Sequence, residues 1–448
     1  MFVRNVEVEI SRSELAGVES LGDAIQARLG ENALRWFISR AGRDGVTVEA
    51  TLLQDVMRSA STQATSFHPG KSAVLSIIPT GVGCELGGYA GDASPITRLL
   101  STCADYVITN PNALNGSEFV GSLERVLYTE GYCIDLLSKG LVDLWVPQSN
   151  KVGLVIEKAD EWMLDVVFNV MNTMRAIHGI DIDYVITDEP IGSRSERNPS
   201  GAYVGSIANP KALFLATEKL LKAGATAIGI TTNIQGLPGE EYVQHFLGRH
   251  PNPMGGVEAL ISHLVVNKYG VPAAHAPMIN LKGEDQVESG RTVSSSMKKL
   301  RLARSVVDAR GAGEMTSVSG LACILAGLAK APQIQENRGC RFTDRINLKN
   351  VVAVVAPASA LGGIPVLSAA KHGIPVIAVR SNVTILDVTA SRLGLKNVIE
   401  VENYTEAAGL VLALRNGISL ESLYRPLRTL DYQNVQELVV TERAVANG

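Results

Sequence analysis

Long hydrophobic runs are missing from this 448-residue sequence. Its most apolar stretch, VVAVVAPASALGGIPV (351–366), is broken by Pro and Gly, well short of the roughly 20 uninterrupted residues that span a bilayer. Cysteine is scarce. The five present (Cys84, Cys103, Cys133, Cys323, Cys340) are odd in number and never spaced CxxC, which excludes a disulfide framework and a thiolate zinc site. A basic excess is also lacking: the formal net charge is -4, against a general nucleic-acid binder. Neither GxGxxG nor GxxxxGK[ST] occurs in the glycine-rich segments, so a Walker-type ATPase is not indicated. The opening MFVRNVEVEIS carries an arginine and two glutamates, unlike a signal or transit peptide. The expectation is a cytoplasmic protein with no membrane partner.

What is present is ordinary for a packed globular chain: 46% hydrophobic and 19% charged residues. The length calls for two or three units sharing a large core. Residues 1–70 read as a small α+β unit: a strand over Phe2–Ile10, a helical period through Leu21–Ser39, a strand over Val46–Leu53, and a linker at 61–72. From Ala73 the pattern changes to short β-branched runs, each followed by a helical period: AVLSII (73–78), DYVIT (105–109 and 183–187), ATAIGIT (225–231), VVAVV (351–355) and IPVIAV (374–379). Such runs predict mainly parallel sheets of βαβ units, an α/β class with Rossmann-like lobes. The boundaries expected are 71–280 for a first lobe, 281–346 for an irregular bridge and 347–448 for a C-terminal α/β segment. Pro95 and Pro210 mark helix starts, and Gly179, Gly224, Gly270 and Gly373 mark helix stops. The segment EWMLDVVFNVMNTMRAIHG is apolar on nearly all faces and reads as a helix buried between layers, its methionines core filler.

In parallel sheets ligands bind beyond the carboxyl ends of the strands. Here those ends read PTGVGCELGGYAGD (79–92), NPNALNG (110–116), DEPIG (188–192), TNIQG (232–236), PASALGG (357–363) and RSN (380–382). Turn geometry accounts for each loop singly; their grouping on one edge points to a small-molecule site. The richest loop offers Gly81, Gly83, Gly87, Gly88 and Asp92, with no lysine, so its backbone N–H groups are candidates to hold an anion. Asn110, Asn112, Asn115 and Asn233 are further ligand candidates. So are His250 and Asn252 of HPNPMGG (250–256), a segment that reads equally well as an entry turn. Ser359, Gly362, Gly363, Ser381 and Asn382 belong to a strand–loop–helix pattern shared by many nucleotide domains, where a phosphate meets a helix N-terminus.

For catalysis the acidic pair Asp188-Glu189 follows a strand end and could move a proton or simply cap a turn. Cys84 sits in the glycine loop, as a nucleophile or as a small core residue. His250, His263 and His275 lack short metal spacing, so no metal site is assigned. SSSMKK (294–299), with Arg301 and Arg304, contains Ser-x-x-Lys twice but reads better as a basic helix. GSRSERNPSG (192–201) reads as a mobile lid or an inert surface loop.

The joined motifs PTGVGxxxGGxAGDA, TNPNxxNG and APASALGGIPVL resemble those of a family without assigned function, found chiefly in cyanobacteria and plastid-bearing lineages. The resemblance runs from the glycine loop to the C-terminal segment and transfers no activity to any residue. A looser similarity to two-lobed amino-acid racemases fails, because Cys84 lacks the expected neighbours and Cys340 sits in a polar connector. The first reading is a metabolic enzyme acting on a small carboxylate- or phosphate-bearing metabolite by hydrolysis, isomerisation or group transfer. A non-catalytic sensor and a nucleotide-dependent transferase are the alternatives. No cofactor is indicated, and a homo-oligomer is open.

Overall fold

The computed structural model describes residues 3–15, 20–30, 33–53, 71–116, 124–236, 239–278, 306–316, 320–336 and 345–430. Residues 61–70 of the linker, the SSSMKK run with Arg301 and Arg304, and Cys340 lie outside them.

The N-terminal unit is an antiparallel sheet of β1 (Val3–Ser11), β2 (Ala33–Ala41) and β3 (Gly45–Leu53), ordered β1-β3-β2. The helix expected through Ser39 stops at Leu29, where Gly30 turns to φ 81°. Beyond it Leu34, Trp36 and Ile38 alternate into the core. That period of two makes the segment a strand.

The second sheet is parallel and six-stranded. It comprises β4 (Ala73–Ser76), β5 (Tyr106–Thr109) and β6 (Val126–Tyr128), together with β15 (Val351–Pro357), β16 (Val376–Val379) and β17 (Val398–Val401). Its order is β17-β16-β15-β4-β5-β6. The C-terminal segment, expected as a separate lobe, thus completes the sheet begun at Ala73. β4 and β15 are apolar and buried on both faces, so each satisfies its backbone only beside the other.

Between these halves the chain builds a four-stranded parallel sheet from β8 (Val152–Ile156), β9 (Ile182–Ile186), β12 (Ala227–Thr232) and β13 (Ala273–Pro277), ordered β13-β12-β8-β9. Two small pairs complete the strands. β7 (Val142–Trp145) meets β14 (Gln333–Glu336), and β10 (Ser193–Arg197) meets β11 (Tyr203–Ile207). The β10–β11 hairpin occupies the segment read as a lid or inert loop, because Ser193 and Ser195 alternate inward against polar Arg194 and Glu196. The helix Glu161–His178 buries one face only, through Met163, Val167, Met171 and Met174, and leaves Ile177 72% exposed. It covers a sheet rather than lying between layers.

The helix Gly255–Tyr269 is the buried one. Eleven of its residues are buried, and it packs against β11, β13 and the helix Gly131–Ser138, tying the two parallel sheets together.

Candidate functional site

A cavity of about 500 Å³ lies where the two parallel sheets meet. In the six-stranded sheet the chain runs outward from β4 to β6 and returns on the other side at β15, so strand order reverses between β4 and β15. Ligands favour such a crevice. Ile77–Thr80 after β4, Asn110–Asn112 after β5, Glu130 and Gly131 after β6, and Gly363–Pro365 after β15 all line the cavity. The four-stranded sheet contributes Thr231 and Ala276–Met278. Its own reversal point is closed, because the buried Glu157 carboxylate accepts the N–H of Gly192 (2.8 Å) and of Asn233 (2.6 Å).

Two histidine–carboxylate pairs stand in the cavity wall. Glu130 caps the helix Gly131–Ser138 by accepting the amides of Tyr132 (2.7 Å) and Cys133 (3.3 Å) through Oε2. Its Oε1 accepts Ser262 Oγ at 3.0 Å and also meets His263 Nδ1. Both oxygens of Glu130 are thus engaged as acceptors. Glu130 directs the Nδ1 proton of His263 toward itself, which leaves the Nε2 lone pair available. Among the described residues Nε2 has no hydrogen-bond partner, and His263 lines the cavity. Gly131 is required here: a Cβ would lie 2.9 Å from His263 Cε1.

The second pair is His275 and Glu258. His275 Nε2 is 2.9 Å from Thr232 Oγ1, which is 2.8 Å from Ser193 Oγ, and Nδ1 lies 3.7 Å from Glu258 Oε2. Glu258 and Ser262 lie one turn apart on the buried helix, and His263 follows Ser262 directly. The walls also hold two buried oxygens without a partner among the described residues, Thr231 Oγ1 and Asn110 Oδ1. Asp135 sits in the wall as well; desolvation pushes its carboxyl up to about 6, against the pull of Lys139, His263 and Arg35.

Several residues singled out in the sequence reach this cavity: Asn110, Asn112, Asn252 and Gly363. Others hold its loops in place. Asn112 Nδ2 donates to Gly87 O at 3.0 Å, and Asn252 Oδ1 accepts the Met254 amide at 2.9 Å. Asn382 bridges Leu86 through both its side-chain atoms, at 2.9 and 3.0 Å, and Ser359 Oγ contacts Thr384 Oγ1 at 2.9 Å. The Asn115 amide donates to Ser94 Oγ, and that of Ser381 to Glu402 O. His250 Nδ1 lies 3.3 Å from the Tyr203 hydroxyl.

The glycine loop spends its amides internally. The N–H groups of 85, 86, 87, 90 and 91 go to Val383 O, Asn382, Asp92, Glu314 and Asn112 O. Its glycines, Gly81, Gly83 and Gly88 among them, permit close packing instead. A Cβ on Gly81, at φ 77°, would lie 2.6 Å from Tyr203 O, one on Gly83 3.1 Å from Pro251, and one on Gly88 2.7 Å from Cys84 O. Gly362 does the same for β2. Its carbonyl accepts the Ile38 amide at 3.1 Å, and a Cβ there would sit 2.6 Å from Ile38 Cβ. Cys84 is buried with Sγ 3.7 Å from Pro79 O, and desolvation drives its thiol far above the ordinary range, which disfavours a thiolate. Asp188 and Glu189 stand outside the cavity lining. Asp188 is 89% exposed near Lys219, and Glu189 accepts from Asn209.

Residues 72–424 match the family described as "Protein of unknown function (DUF3326)". The chain belongs to the DUF3326 family. This bears out the resemblance carried by the glycine-loop and C-terminal motifs. An uncharacterised lipoprotein of Synechococcus sp. (strain ATCC 27144 / PCC 6301 / SAUG 1402/1) is 34% identical over 361 residues, covering 80% of this chain and 95% of the relative. No solved structure matches. The DUF3326 match takes in both parallel sheets and both histidine pairs, whereas β1–β3 precede it. Among the described residues of this DUF3326 protein, no helix is long and apolar enough to cross a membrane, and no three His, Cys, Asp or Glu side chains are grouped to hold a metal ion.

Sequence reasoning missed the histidine–carboxylate pairs in the wall of the DUF3326 cavity: Glu130 with His263 and Glu258 with His275. Glu130 follows a three-residue strand, too short to register as a run. The histidines were weighed only as metal ligands. Polar Glu258, Ser262 and His263 within one otherwise apolar helix were the available signal.

Proposed function

We propose that this protein is a metabolic enzyme that moves protons on a small anionic metabolite held between the two parallel sheets. The observation that carries the reading is the Glu130–His263 pair. A carboxylate fixed by two backbone amides and a serine hydroxyl orients an imidazole whose other nitrogen is unpartnered at the cavity wall. This is the arrangement of an oriented general base. His263 Nε2 takes the proton, and Glu130 stabilises the imidazolium that results. His275, backed by Glu258 and Thr232, is the second group able to give or take a proton. Thr231 Oγ1 and Asn110 Oδ1 are the polar contacts that would position the substrate. Isomerisation suits two such groups on one cavity; hydrolysis and group transfer use the same base on a water or hydroxyl. A cytoplasmic setting belongs to this reading, supported by four buried free thiols, Cys84, Cys103, Cys133 and Cys323.

The test incubates the protein with a cellular metabolite pool in deuterium oxide and follows mass changes. The parent protein should convert or deuterate at least one metabolite, and His263→Gln should slow this by about a hundredfold or more, the usual range for a general base. Equal behaviour of parent and variant would show that His263 is not the base. Stoichiometric retention of one metabolite without any mass change would favour the sensor alternative.

A further inference from the structure

We propose that Arg35, on strand β2 of the N-terminal sheet, is the anchor for a carboxylate group of the ligand. The N-terminal sheet, which lies outside the family match, thereby completes the cavity. The proposal rests on the reading of this cavity as the substrate site and adds the charge and shape of what it accepts.

Arg35 and its neighbour Trp36 line the cavity. β2 is brought there by the loop after β15. The Ile38 amide donates to Gly362 O, and Phe37 bridges Gly363. Trp36 is pinned through Nε1 to Gln26 Oε1 at 3.0 Å. Arg35 itself is not pinned. Its guanidinium lies 5.5 Å from the Phe37 ring centroid, and among the described residues it makes no hydrogen bond and no ion pair. Glu49 and Asp135 are the acidic groups that act on it, from beyond ion-pair distance, while burial works against its charge. Arg35 is half-buried, so its guanidinium is partly withdrawn from water with no partner among the described residues to offset the loss. Five N–H donors in a fixed fork at a cavity wall are the geometry that a carboxylate satisfies with two parallel bonds.

The charge of the walls distinguishes a carboxylate from a phosphate. Among the described lining residues Arg35 is the one Arg or Lys, set against Glu130, Asp135, Glu258 and Glu314. A phosphate group brings a charge of about −1.5 to −2 at neutral pH, which one guanidinium among four acids does not balance. A single carboxylate brings one charge and matches one guanidinium. Its placement against β2 would leave the rest of the molecule facing His263 and His275.

The test is calorimetric titration of the full chain with short carboxylates from acetate to adipate, and separately with inorganic phosphate. At least one carboxylate should bind the parent. Arg35→Gln should weaken it by tenfold or more, which is about 1.4 kcal/mol, with the melting temperature little changed. Arg35→Lys keeps the charge without the fork and should fall between the two; it also serves as the reading should Arg35→Gln not fold. His263→Gln should bind the carboxylate as the parent does, so loss of turnover there and loss of binding at Arg35 are separable results. Carboxylate affinity unchanged in Arg35→Gln, no carboxylate bound by the parent, or tighter binding of phosphate would each overturn the assignment, whatever the deuterium experiment gives.

Discussion

Asp92 shows how one residue can be visible in a sequence for the wrong reason. It was picked out as a polar group in a glycine loop, a candidate to touch ligand. In the structure Oδ1 accepts the Gly87 amide at 2.6 Å, while Oδ2 is buried without a partner among the described residues. Desolvation raises its carboxyl to about 7, although the Gly87 hydrogen bond and Arg310 oppose the rise. The unfolded chain releases this proton near pH 4 and the folded chain near pH 7. Its stabilising contribution is therefore full below about pH 4 and lost as pH climbs through 7, a change on the order of a few kcal/mol. Thermal melts of the parent should fall between pH 5 and pH 8, and Asp92→Asn should flatten that slope by keeping the Gly87 bond without a charge. An unchanged slope in the variant would place the titration elsewhere. The residues that matter more to the cavity were hidden by a different cause. Glu130 and His263 are far apart in the chain and form one unit only because the buried helix brings Ser262 and His263 against the cap of another.

At the level of elements, the runs that read as strands were those with several β-branched residues in a row, and β4, β5, β9, β12, β15 and β16 all stand close to where they were expected. Most of those passed over fall into two kinds. β6 is only three residues long, and β7, β10, β11, β13, β14 and β17 carry polar or small residues whose burial is decided by neighbours rather than by period; β8, VGLVI, fits neither kind. The helix Gly255–Tyr269 opens on paired glycines. They are there because β11 runs against the helix: a Cβ on Gly256 would stand 1.9 Å from Tyr203 O and one on Gly255 2.6 Å from Thr80 Cγ2. Gly256→Ala should therefore cost more than about 3 kcal/mol, since overlap with backbone cannot be relieved by a rotamer change. Gly313→Ala is the contrasting case. That position lies in the helix Ala309–Thr316 with nothing within 4 Å of a new Cβ, and the substitution should stabilise by roughly 0.5–1 kcal/mol. Denaturant midpoints of the two variants, read against the parent, check both signs.

For the molecule as a whole, fold class was legible because alternation of strand and helix is a local signal, whereas the partition into lobes was not. Nothing near Val351 says that its neighbour will be β4 rather than a strand close by. Pairing at that distance depends on which buried edge is still open when the chain returns. A chain ending at residue 346 lacks β15, β16 and β17 and leaves β4 as an edge. It should not give a folded first lobe, as measured by circular dichroism, protease resistance and loss of a cooperative melt; a cooperative, protease-resistant product would show that the halves fold separately. The same pairing sets a schedule during synthesis. Ser76 leaves the ribosome long before Val355, its partner in the finished sheet, and elongation at about 5–20 residues per second makes that interval on the order of tens of seconds. Throughout it Ala73–Ser76 offers an unpaired, largely apolar edge, the kind that recruits other chains. The strands β8, β9, β12 and β13 are all translated inside that window, while β4 still lacks its partner. The protein's yield in a cell should then depend on how well ribosome-associated chaperones shield that edge until β15 arrives.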